Sequence, residues 1–268
     1  MRGARPERAL DRLVRPALPA RGGRLLLACS GGPDSVALAA LLDRLARPAG
    51  VELLLAHVNH GIRPSADQDE CVVLSVAARL NRPVRVARPV PAGADEAALR
   101  AARYAALAAL AAELGAPAVA TAHTAEDQTE TVLLALFRGT GLDGLAGMPA
   151  RRPLAAGVEL IRPVLRVTHA ELATELRRSG LPYALDPTNA QTRYRRNALR
   201  VSLEALREEF PGLDRAVARC AEIVRDDLAG TGRAGERRAL RARLRARQAL
   251  RDVSFAQVEE ALGARGGP

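Results

Sequence analysis

Apolar and polar positions along the chain switch repeatedly between two periods. Five apolar residues, Leu25 to Cys29, stop at Ser30-Gly31-Gly32-Pro33-Asp34-Ser35, after which Val36, Leu38, Leu41, Leu42 and Leu45 recur with helical spacing. A short apolar run ending at glycines is the mark of a strand buried on both faces, and the spacing that follows predicts a helix over 34–46 packed back on it. The alternation repeats as strand 51–58 and helix 67–80, strand 83–90 and helix 95–114, strand 117–123 and helix 125–137, then strand 159–165 and helix 168–179. Strand and helix in turn predict an α/β fold, a doubly wound parallel sheet with helices on both faces. Ligands of such sheets sit at the carboxyl ends of the strands. The notable polar residues fall there: Ser30 to Ser35 after the first strand, His57, Asn59 and His60 after the second, His123 and Asp127 after the fourth.

The pattern loosens elsewhere. Gly139 to Pro149 is a glycine-rich loop too long for a plain turn, which marks it as mobile or functional. Beyond Gly180 the chain reads as irregular until helical spacing resumes near 197, with a soft boundary at 205–212. The expected organisation is an N-terminal extension over 1–20, a catalytic domain over 21–206 and a small helical, arginine-rich region over 207–268. Within the last, Arg237 to Arg251 holds seven arginines and no acid. Such a run is either a solvated helix face or a nucleic-acid contact.

Composition narrows the field. The 268 residues are 48% hydrophobic, enough for a full core, and the formal net charge of +10 favours a polyanionic partner. Cys29, Cys71 and Cys220 are widely separated, which suggests neither a disulfide framework nor a zinc site and fits a reducing cytoplasm. The arginine-rich start lacks an apolar signal-peptide core, and no apolar run approaches the ~20 residues that span a bilayer. The expectation is a soluble cytoplasmic protein with no membrane partner.

The turn after the first strand carries the sharpest chemistry. Gly31 and Gly32 let backbone N–H groups approach an anion, Pro33 suits a first helical turn, and the helix N-terminus presents partial positive charge. The string is thus a phosphate cradle or an ordinary capped βα loop. A Walker loop needs a lysine, and this chain has none: all 40 of its Lys+Arg residues are arginine. The G-x-G-x-x-G dinucleotide fingerprint is also missing, since Gly31 and Gly32 are adjacent. Further on, Asp127 and Glu130 are three apart near the start of a predicted helix and share a face. They would attract a cation, magnesium or an amino group, or simply offset the helix macrodipole. Arg100, Arg103 and Tyr104 share the 95–114 helix, where arginines either neutralise phosphate charge or face solvent.

SGGPDS resembles the SGGxDS loop of the N-type ATP pyrophosphatases, whose fold is adenine nucleotide alpha hydrolase-like. In order, SGGPDS, HVNHGIRPSADQD, RAARYAAL, TAHTAEDQTET, FRGTGLDGLAGM, RPVLRVTHAEL, YALDPTN and RYRRNALR resemble the successive motifs of the tRNA(Ile)-lysidine synthase family, from about residue 24 to 206. The resemblance implies ATP-dependent ligation of L-lysine to C2 of the wobble cytidine of tRNA(Ile) with a CAU anticodon, through an adenylated cytidine, with release of pyrophosphate and AMP. It implies that Ser30, Gly31, Gly32, Pro33, Asp34 and Ser35, with His57, bind ATP, and that Asp34 also holds Mg2+. It implies that Asp34, Arg103 and Asp127 are catalytic. Asp127 and Glu130 would hold lysine, and Arg195 or Arg196 would lie near the substrate. His123 is a proton acceptor or a structural residue, and the general base is not identified. A homodimer is implied by the same resemblance. The family's Asp-Asp pair reads Glu126-Asp127 here, Thr124 follows the motif histidine, and only a short region follows the catalytic part. The competing readings are a 2-thiocytidine-type modifier sharing the loop, which the cysteine spacing disfavours, and a catalytically silent tRNA-binding homologue.

Overall fold

The computed structural model describes residues 8–61, 66–93, 95–185 and 195–230. The chain divides into two units, Met1–Thr131 with Met148–Arg219, and Val132–Gly147 with Cys220–Pro268.

The first unit is built on a six-stranded sheet. Its strands are β1 (Arg24–Ala28), β2 (Glu52–Val58), β3 (Val84–Ala87), β4 (Ala118–Ala120), β5 (Arg151–Ala155) and β6 (Val158–Ile161), in the spatial order β3-β2-β1-β4-β6-β5. Every pairing from β3 across to β6 is parallel. Among the described residues the α-helices are α1 (Ala9–Val14), α2 (Pro33–Ala49), α3 (Ala66–Leu80), α4 (Glu96–Glu113), α5 (Ala125–Leu136), α6 (Leu142–Leu145), α7 (His169–Ser179), α8 (Arg195–Glu209) and α9 (Leu213–Gly230).

Leucine is an intrinsic helix former, so burial and not propensity places Leu25, Leu26, Leu27, Leu53 and Leu55 in strands. All five are fully buried, at roughly 2 kcal/mol each relative to exposure. Their side chains alternate between two cores, as the two-residue period of a strand requires. Leu25, Leu27, Leu53 and Leu55 join residues of α1, α2, α3 and α7 on one face, whereas Leu26 and Leu54 join Leu107 and Ala111 of α4 on the other. Helices therefore cover both faces, as expected for a doubly wound fold. From β1 the chain steps outward through β2 and β3, then returns to the other side of β1 with β4. The crevice at such a reversal, beyond the carboxyl ends of β1 and β4, is where open α/β sheets hold ligands.

Three features depart from the sequence reading. The sheet is not wholly parallel: β5, which falls in a stretch with no predicted element, pairs antiparallel with β6. Arg151, Arg152 and Pro153 mask a strand whose residues are half or fully exposed, and a proline without an N–H is tolerated because the strand lies at the edge. Gly157, at φ +71°, supplies the left-handed residue of the tight turn between them. The strand expected over 159–165 is instead Val158–Ile161, with Pro163 just beyond its end. Finally, α1 forms within the expected N-terminal extension, with Val14 fully buried and Asp11 paired with Arg44 of α2.

α7 starts on a capping box, with Thr168 accepting from the Glu171 N–H and the Glu171 carboxylate accepting from the Thr168 N–H, and ends on Gly180 in the left-handed conformation. Within α7 the nearly fully buried Glu175 is paired with Arg44 and, at 3.4 Å, with Arg8. α8 runs continuously through residue 206 to Glu209, and the helical run breaks at residues 210–212 before α9. In the second unit, the expected loop over 139–149 contains α6, and Arg225 donates to the Ala146 carbonyl. The Arg237 to Arg251 run lies outside the described residues, as do residues 62–65 and 186–194 of the predicted motifs. Among the described residues, no helix is long and apolar enough to cross a membrane.

Candidate active site

The turn between β1 and α2 is held by its own hydroxyls. Ser35 Oγ donates to the Gly32 carbonyl at 2.9 Å, accepts the Ser30 N–H at 3.1 Å and lies 3.1 Å from Ser30 Oγ. Gly31 has φ +90°, and a Cβ there would sit 3.0 Å from the Asp69 carbonyl oxygen of α3. From the other side, the Ala184 N–H donates to the Gly31 carbonyl at 2.9 Å. Gly32 is the N-cap of α2 and no side chain caps the helix, so its first-turn N–H groups are left for an anion. Gly31→Ala is expected to lower stability by about 1–3 kcal/mol, through strain in the left-handed region, which thermal melts of the two proteins check.

The second strand braces the same turn. His57 is buried and its Nδ1 lies 2.9 Å from the Cys29 carbonyl oxygen. A carbonyl only accepts, so Nδ1 carries the hydrogen. The Cys29 thiol is itself buried, which pushes its pKa up. Asn59 closes the strand end by donating to Asp67 at 3.2 Å and Glu70 at 2.9 Å while accepting from the Gly61 N–H at 2.9 Å.

On the far side of the crevice, the N-termini of α5 and α7 meet. Asp127 Oδ2 accepts from the Thr124 N–H at 3.0 Å, and Thr124 Oγ1 accepts from the Asp127 N–H at 3.4 Å. Thr124, the departure from the family motif, thus serves as a cap. Glu126, the other departure, accepts the His169 N–H through Oε1 at 2.9 Å, while its Oε2 is buried without a partner. His169 is the residue that joins these parts. Its Nδ1 lies 3.1 Å from Asp34 Oδ1 and its Nε2 3.5 Å from Thr124 Oγ1. Burial disfavours its charged form, but the hydrogen bond and charge of Asp34, with the charges of Glu126 and Asp127, outweigh burial and push its pKa up to about 9. The stability of this pairing is therefore complete below the usual histidine pKa and is lost as pH rises through about 9. With the His169 side chain 42% exposed, solvent screens much of the energy.

One turn along α5, Glu130 is fully buried and accepts a bidentate pair from Arg200 of α8, at 2.7 Å from Nε and 3.0 Å from Nη2. That hydrogen bonding, ahead of the charges of Glu130, Asp127 and Asp34, raises the Arg200 pKa against burial. Arg195 and Arg196 open the same helix. Arg103 is exposed on α4, and His123 Nδ1 lies 2.9 Å from Thr121 Oγ1.

The structure thus brings Asp34 to the start of α5 through His169, and ties Glu130 to α8. His169 and Arg200 escaped the sequence reading. A Thr-x-x-Glu box just before a helix places His169 at the first helical position on the crevice side, which is the one local signal for it. Nothing local to Arg200 distinguishes it from Arg195 and Arg196. Half-exposed Asp34 and the orphaned oxygen of Glu126 supply hard carboxylate donors of the kind Mg2+ takes, so the residues present fit that ion.

Residues 4–206 match the PP-loop domain family. Curated tRNA(Ile)-lysidine synthases align along most of the chain. That of Ralstonia nicotianae is 39% identical, covering 87% of this chain and 57% of the relative. Those of Gloeobacter violaceus and Salinispora tropica are 40% and 42% identical over 81% and 86% of this chain, and each is covered to 68%. The chain thus spans between about half and two-thirds of the relatives' lengths. In fold it is similar to the U34-tRNA thiolase NcsA from Methanococcus maripaludis, at TM-score 0.68 and 18% identity, over 80% of this chain and 77% of that one.

Proposed function

Since the chain belongs to the PP-loop family, and within it to the tRNA(Ile)-lysidine synthases, we propose that it ligates L-lysine to C2 of the wobble cytidine of tRNA(Ile) with a CAU anticodon, in the cytoplasm, at the expense of ATP. The observation behind the reading is that His169 joins an uncapped glycine turn, through Asp34, to the carboxylates that open α5, through Glu126, at the reversal of the sheet. One end suits a polyphosphate and the other a cation.

The chemistry explains why both are needed. The C2 oxygen of cytidine is a poor leaving group, so it first attacks the α-phosphorus of ATP, and pyrophosphate departs. The ε-amine of lysine then attacks C2, the C2–O bond breaks, and AMP leaves with the former C2 oxygen while the amine sheds a proton. The N–H groups at the start of α2 face the pyrophosphate portion and stabilise the charge that builds there. Mg2+, held by Asp34, would add charge neutralisation at the phosphates. His169 fixes the orientation of Asp34. The lysine ε-amine, with a pKa of ~10.4, costs about 4–5 kcal/mol to deprotonate at pH 7, so the pocket must favour the neutral amine. Asp127 holds the amino acid's ammonium group in this reading. Glu130 acts through Arg200, whose guanidinium it orients.

The complete reaction, with L-lysine and ATP supplied, gives the test. Pyrophosphate and AMP are expected one for one, and only when tRNA(Ile) is present. Release of ADP and inorganic phosphate, or turnover without tRNA, would overturn the proposal.

A further inference from the structure

Away from the crevice, β5, β6 and α4 bring three guanidinium groups to one aromatic ring. Arg100 and Arg152 lie over Tyr104, 5.2 and 5.0 Å from its centroid. Arg162, the residue after β6, is 4% exposed. It donates to the Pro149 carbonyl at 2.7 Å, while its Nε is buried without a partner. Its pKa is pushed down by burial, and Arg152 and Arg100 push in the same direction against Tyr104. Other arginines behave differently: Arg151, next to Arg152, is paired with Glu159 at 3.1 Å, and Arg44, Arg82, Arg200 and Arg207 all meet carboxylates. Among the described residues, Arg100, Arg152 and Arg162 form no ion pair.

Three mutually repelling charges, one of them buried, are a standing electrostatic cost that an anion would remove. Guanidinium groups match phosphate oxygens in geometry, and the Tyr104 ring holds two of them in place from beneath. The position separates this cluster from the ATP turn. β5 lies three strands from β1, about 14 Å at the usual strand spacing, but on the same carboxyl edge of the parallel strands, because Arg152 pairs with Leu160 near the end of β6. A chain laid along that edge can reach both sites.

We propose that Arg100, Arg152 and Arg162, gathered around Tyr104, bind a phosphodiester of the RNA substrate next to the nucleotide that enters the crevice. The identity of the anion as RNA rests on the functional reading above; its being a phosphate rests on the cluster.

The test is tRNA binding by fluorescence anisotropy across a salt series, without turnover, for the chain and for Arg100→Gln, Arg152→Gln and Arg152→Lys. Arg162 is left intact, since a buried change there would disturb folding. Each Gln variant is expected to weaken tRNA binding several-fold, to reduce the slope of log affinity against log salt by roughly 0.7–0.9, and to leave ATP affinity unchanged. Arg152→Lys is expected to retain the slope. Unchanged tRNA affinity and slope in both Gln variants overturns the proposal, and so does a loss of ATP affinity, which would assign the cluster to the nucleotide. If the chain binds tRNA with these slopes but transfers no lysine, the functional reading fails and the phosphate site stands. If lysine transfer is normal and the slopes do not move, the reverse holds.

Discussion

Asp34→Ala is expected to lower tRNA-dependent pyrophosphate release by on the order of 10²–10³-fold, while tRNA affinity stays within about twofold. Asp34 projects from the first turn of α2 beside the glycine turn, and is the one carboxylate of the loop. Its removal takes away the proposed magnesium ligand and the partner of His169 at 3.1 Å together. Asp34→Asn separates the two effects, because the amide oxygen can still accept from His169 but carries no charge. It should be nearly as inactive as the alanine variant, with a smaller change in melting temperature. Steady-state pyrophosphate assays beside anisotropy binding read both quantities. Activity of the asparagine variant close to that of the parent would remove Asp34 from the catalytic centre.

Arg200→Ala is expected to have the largest effect on stability, about 3–5 kcal/mol, or on the order of 10 °C in melting temperature. The asymmetry of the pair decides the direction. The Glu130 side chain is 0% exposed whereas that of Arg200 is 33% exposed, so truncating the arginine strands a carboxylate in the protein interior. Glu130→Gln leaves the guanidinium in reach of water and should cost less than half as much. Replacing both residues by leucine should recover most of the loss, because a buried ion pair is often no more stable than apolar packing of similar volume. Urea titrations of the four proteins measure these stabilities. Equal destabilisation by the two single substitutions would contradict the assignment of burial.

What could be read in advance follows from the range of the forces involved. The buried parallel strands and their covering helices are legible because Leu25 to Leu27 and Leu53 to Leu55 are apolar for both faces at once, a pattern that an exposed loop has no reason to hold. The turn at Gly31 is legible because a left-handed residue and a close backbone approach both demand glycine there. β5 was invisible for the opposite reason. An edge strand answers to its neighbour's hydrogen bonds more than to its own side chains, and Arg151-Arg152-Pro153 carries no period. The site residues divide in the same way. Asp127 could be placed near the start of α5 from helical spacing, but its use as a reciprocal cap with Thr124 depends on where the helix begins to the residue. The Asp34–His169 and Glu130–Arg200 contacts join residues 135 and 70 positions apart, and only the assembled sheet brings them together.

Glu126 illustrates a substitution with a structural consequence. The longer side chain reaches the His169 N–H and leaves its second oxygen buried and unpartnered. Its charge, the same as that of the family's aspartate, helps hold His169 protonated beside the charges of Asp34 and Asp127.

Ligation of a free amino acid to RNA can be read in a single labelling reaction. Radiolabelled L-lysine and ATP are supplied to the chain with transcripts of the isoleucine and methionine tRNAs that share a CAU anticodon. Acid-insoluble label is expected in the isoleucine transcript alone, and only with ATP present. Label in neither transcript, with pyrophosphate still released, would contradict it.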